Sequence, residues 1–145
     1  MEQEKTNFIS RPLFFATSVV IGHFAVVIWH LLLLVKIQPT TPRIALLLLI
    51  LINLLPVAAL VAFAKGHHKL AGGLIVLPFG VALGIGSYTH FLSAGTDKVF
   101  QMPPGELRLP FQVSAVLLAV LEALGCWIGL RMFILGRKEP PFRPQ

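Results

Sequence analysis

Residues 13–35 read LFFATSVVIGHFAVVIWHLLLLV, a run without a charged side chain, bounded by Arg11-Pro12 before it and Lys36 after it. At a rise of about 1.5 Å per residue it is long enough to cross a hydrocarbon core about 30 Å thick. It exceeds the roughly 7–15 apolar residues of a secretory signal, and Ile37-Gln38-Pro39 offers no small-x-small cleavage site, so it reads as a retained span.

Working outward, three further apolar runs follow: about 44–64 between Arg43 and Lys65, about 70–92, rich in glycine, and about 111–135, entered through Pro110 and closed by Gly136-Arg137-Lys138. The composition agrees. Of 145 residues, 56% are hydrophobic and 12% charged, against about a quarter charged in soluble domains. That balance excludes an ordinary water-soluble globule, and it excludes disorder, which needs low hydrophobicity. Cys126 is the only cysteine, which excludes an internal disulfide or a multi-cysteine metal site. The net charge of +6 comes from basic residues scattered singly, so it does not point to nucleic acid. The sequence therefore predicts a single all-α integral membrane domain, a four-transmembrane-helix up-down bundle. A longer outer loop, 93–110, joins helices 3 and 4, and a Pro-rich tail occupies 136–145.

Four spans place Lys5, Arg11, Lys65, Lys69, Arg131, Arg137, Lys138 and Arg143 on one side, and Lys36, Arg43, Lys98 and Arg108 on the other. This bias predicts both termini in the cytoplasm, in the plasma (inner) membrane. The short connections Lys36–Arg43 and Lys65–Lys69 imply antiparallel neighbours. The outer loop carries Val99, Phe100, Met102 and Leu107 among charged residues, and is expected to fold back as an ordered interfacial cap.

Between lipid-embedded helices, small residues mark contact faces. Gly80-x-x-x-Gly84 in the third span and Gly125-x-x-x-Gly129 in the fourth predict a close contact between those two, with homodimerisation as the alternative. Pro56 and Pro78 each free a backbone carbonyl one turn earlier, which needs a partner in lipid.

Three polar side chains, His23, Asn53 and Glu122, fall near mid-depth of their spans by helical rise. A carboxylate there costs several kcal/mol unless paired or protonated. Glu122 shares a stripe with Ala115, Ala119, Cys126 and Gly129, so it faces other helices, with His23 as its natural partner and Asn53 bridging. The cluster reads either as a proton-carrying or ligand-binding site or as a polar clasp fixing helix register. A second set lies nearer the outer face. His30 is two turns beyond His23, and His90 ends the third span; together they are candidate ligands for a metal or a b-type haem, or simply interfacial histidines bonded to the loop. His67 and His68 read as headgroup contacts.

No nucleophile motif, P-loop or Rossmann fingerprint is present, which leans away from an enzyme. The leading expectation is a non-catalytic subunit or stabilising partner of a larger membrane complex, or a homo-oligomer. The alternatives are a proton-coupled or small-ligand binding or transport protein using His23, Asn53 and Glu122, and a b-type haem or quinone-linked redox subunit. The expected partners are the lipid bilayer and other membrane subunits or a second copy, with no nucleic acid.

Overall fold

The computed structural model describes the backbone of residues 2–37, 43–92, 98–99, 101 and 104–135, and side chains within 13–37, 53–92, 98–99, 101 and 104–134. The Pro-rich tail, the connection at 38–42 and much of the outer loop lie outside the described residues. The structure is 90% helical, with four helices and no strand among the described residues. They are α1 (Glu2–Ile37), α2 (Arg43–Ala64), α3 (His68–Ser87) and α4 (Arg108–Leu135). A π-helical turn, Tyr88–Leu92, continues α3 directly.

Among the described residues, three helical stretches are long and apolar enough to cross a membrane: Leu13–Ile37, His68–Leu92 and Arg108–Ile134. The apolar part of α2 within the described side chains, Asn53–Ala64, is shorter. Only 33%, 28% and 33% of the three spanning windows is buried. Half of their leucine, isoleucine, valine and phenylalanine is exposed, including Phe14, Ile21, Leu32, Leu77, Ile85 and Leu109. A water-soluble bundle would hide such a surface, and its continuity suggests a membrane location.

Helix boundaries follow local chemistry. Between α2 and α3, Gly66 takes φ +81°, a left-handed value that a side chain resists and glycine does not. The His67 amide donates to Ala62 O and the Gly66 amide to Phe63 O, both at 2.9 Å. These paired bonds satisfy the last carbonyls of α2 in the Schellman manner. The whole reversal takes Lys65, Gly66 and His67, and His68 already belongs to α3 with its ring edge-on to Phe63 at 4.6 Å. At the other reversal, α4 starts at Arg108, earlier than the apolar run alone suggests. Pro110 sits in its first turn, where the missing N–H has no helical acceptor to serve.

Neighbours pack in a cycle, α1 on α2, α2 on α3, α3 on α4 and α4 on α1, with the α3–α4 face the most extensive. Near the Gly66 turn, Ala16 and Val19 of α1, Ala59 and Phe63 of α2, Ile75 and Phe79 of α3, and Ile128 and Met132 of α4 form one buried cluster. At the loop end, Leu33, Val99, Phe111 and Ala115 form a second.

Missing side chains allow the α3–α4 contact. A Cβ on Gly72 would stand 2.6 Å from both Gly129 O and Phe133 N, and one on Gly129 would stand 2.8 Å from Val76 Cγ2. A Cβ on Gly125 would fall within the Phe79 ring. Real atoms do not approach so closely, so these glycines set the helix separation. On α3 the glycine in this contact is Gly72. A Cβ on Gly80 would only touch Cys126 Sγ at 3.8 Å, and one on Gly84 would meet nothing within 4 Å. Of the two α3 glycines singled out from the sequence, Gly84 thus stands on the outward side, and Gly80 only borders the contact face. At the same end of α4 as Gly129, the Arg131 guanidinium lies over the Trp127 ring at 4.3 Å, a cation–π contact suited to a membrane interface.

Candidate functional site

α1 presents two histidines to the bundle interior, seven residues and thus about 10 Å apart along its axis. Both are 5% exposed.

At mid-depth, His23 Nε2 lies 3.5 Å from Glu122 Oε1 of α4, and Glu122 is 6% exposed. That separation is too long for a good hydrogen bond, and His23 Nε2 has no other partner among the described residues. The His23 ring rests against Phe79 of α3 at 4.5 Å between centroids. The second carboxylate oxygen faces Gly86, whose Cβ position is 3.8 Å from Glu122 Oε2. One ionisable pair therefore touches three helices in the core. Asn53 of α2 is buried, 8% exposed, and makes a polar or electrostatic contact of its own.

At the loop end, His30 Nδ1 is 2.9 Å from Ser114 Oγ of α4, and Ser114 Oγ donates to Phe111 O at 2.9 Å. The His30 ring stacks on Phe111 at 4.8 Å and meets the His90 ring at 5.0 Å with the planes 76° apart. His90 in turn stands edge-on to Phe111 at 5.4 Å. The wall is completed by Val99, 1% exposed, whose amide donates to His90 O at 2.9 Å and whose carbonyl accepts from Gln112 Nε2 at 2.7 Å. The loop thus returns a valine into the end of the bundle and ties it to both α3 and α4.

The fold brings His23 to Glu122 and His30 to His90. Sequence reasoning missed Ser114. Its signal was register: seven residues up α1 from His23 to His30 correspond to eight residues down antiparallel α4 from Glu122 to Ser114. Val99 and Phe111 were missed as parts of a site. A haem held between two trans histidines needs ring centres about 6 Å or more apart, so the 5.0 Å contact does not fit one between His30 and His90. Among the described residues no group of three or more His, Cys, Asp or Glu side chains converges as a metal site.

No protein-family model matches the chain, and neither a curated protein nor a solved structure shows significant similarity to it.

Proposed function

We propose that the chain is a four-span protein of the plasma (inner) membrane, with both termini cytoplasmic, that works as a non-catalytic subunit of a larger membrane assembly. The fourth span is α2. It has 22 residues, about 33 Å at the usual rise, and its sequence from 44 to 64 contains no charge. The cytoplasmic side is assigned by the excess of lysine and arginine there.

The observation that supports a subunit role is the outward strip of α3. Gly73, Gly80 and Gly84 lie within roughly 40° of one another around the helix, and all three are exposed. Side chains at Gly73 or Gly84 would meet nothing within 4 Å. A glycine inside a helix costs about 0.5–1 kcal/mol relative to alanine, and at Gly73 and Gly84 no internal contact offsets that cost. In lipid, a strip of this kind lets another helix backbone approach closely. The test is extraction in mild detergent followed by native mass measurement of the parent and of Gly73→Leu/Gly84→Leu. The parent should run as an assembly and the variant as the lone chain with unchanged thermal stability. A second copy as the partner would make the assembly a homo-oligomer. A parent that runs alone and stable, like the variant, would remove the reading.

The His23–Glu122 contact favours a second reading, proton-coupled binding or carriage of a small ligand within the bundle, with Asn53 as a further polar group. Reconstituted vesicles under an imposed pH gradient test it. Proton flux present in the parent and lost in a folded Glu122→Gln variant supports it, and a parent without flux counts against it.

A further inference from the structure

We propose that His30 and His90 form a binding site for a transition-metal ion that takes imidazole nitrogen in tetrahedral geometry, with zinc as the type case. The argument starts from one hydroxyl proton. Ser114 Oγ has contacts with Phe111 O and His30 Nδ1, both at 2.9 Å. Only one arrangement uses both: the hydroxyl donates to the carbonyl and accepts from an Nδ1–H. The neutral His30 ring then carries its lone pair on Nε2. That atom is buried and has no hydrogen-bond partner among the described residues.

A buried acceptor left unpaired costs about 1–3 kcal/mol. Fixing one ring nitrogen through a protein hydrogen bond while leaving the other bare is how metal-ligating histidines are held. His90 supplies the second imidazole, and its other ring nitrogen can stay engaged while it ligates. An ion about 2.0–2.1 Å from each nitrogen stands about 3 Å from each ring centre, and a tetrahedral angle then sets the centres about 5 Å apart. The observed separation is 5.0 Å.

Phe111 packs against both rings and Val99 closes the loop side, so the ion would sit in a largely apolar recess. With no third metal-ligating side chain converging there among the described residues, the other two tetrahedral positions would fall to water or a small exogenous ligand. The proposal is independent of the glycine strip on α3.

Cobalt(II), which reports tetrahedral coordination through its visible bands, is the probe. Titrated into the full chain in mild detergent, it should saturate at one equivalent with intense bands, and zinc should displace it. His30→Phe and His90→Phe should abolish the bands, while His67→Ala/His68→Ala leaves them intact. Ser114→Ala should keep the bands and weaken affinity about 10- to 100-fold. The proposal is overturned by an absence of saturable binding, by weak octahedral bands, by bands that survive His30→Phe, or by bands lost only in the His67/His68 variant. If His30→Phe loses its helical circular dichroism, Ser114→Ala decides, and unchanged cobalt affinity there overturns the site.

Discussion

His23 and His30 occupy the same face of α1, are equally buried, and both look toward α4, yet the fold holds them in different ways. His30 is pinned: Ser114 fixes one nitrogen, Phe111 stacks on the ring, and a valine from the loop closes the space. His23 meets its carboxylate at 3.5 Å without a formed hydrogen bond. The pinned ring has one tautomer selected for it, which suits ligation. The looser pair can tighten or relax when a proton arrives, which suits a clasp or a proton site. Neutral and ionisable partners on α4 thus give one residue type two chemistries within about 10 Å.

The sharpest way to break the comparison is Gly125→Val. Its side chain would collide with Phe79, the ring against His23, so the mid-depth pair should be displaced while the loop-end cluster persists. Overpacking of this severity should cost about 3 kcal/mol, read as the largest fall in thermal midpoint among these variants. Next comes Glu122→Leu, which leaves His23 without its polar neighbour and should cost about 2 kcal/mol, whereas Glu122→Gln should be close to the parent in the same melt. If leucine is as stable as glutamine, the mid-depth contact contributes nothing.

Ser114→Ala should cost about 1 kcal/mol and free the His30 ring, visible as a changed imidazole signal in nitrogen NMR with the His23 signal unmoved. Movement of both signals would mean the two regions are coupled. The smallest effect belongs to Gly84→Ala, which has open space around it and should shift the stability of the isolated chain by less than about 0.5 kcal/mol. Gly72→Ala, against the α4 backbone, should be clearly damaging in the same assay.

Much of this fold is legible as apolar length. The runs at 13–35, 70–92 and 111–135 lie within the helices observed, because lipid imposes a minimum span that sequence reports directly. Glu122 and His23 could be matched because depth is countable. What sequence hides is rotation about the helix axis. Gly72 and Gly73 are neighbours in the chain but stand about 100° apart, so one glycine pattern serves the α4 contact and another faces outward, and motif spacing does not say which is which. Ser114 was invisible for a related reason: a serine declares itself only when the partner on another helix is known. The π turn leaves no mark in composition at all.

That turn sets the phase of everything beyond it. A π turn is an α-helix carrying one residue more than its pitch accommodates, and at Tyr88–Leu92 the surplus falls where α3 delivers His90 to His30 and the His90 carbonyl to the Val99 amide. Chain length is therefore a control in its own right here, apart from side-chain identity. Deleting Tyr88 or Thr89 would restore ordinary pitch, leave the Gly72 contact below it untouched, and swing the His90 imidazole away from its neighbour without altering any group that touches it.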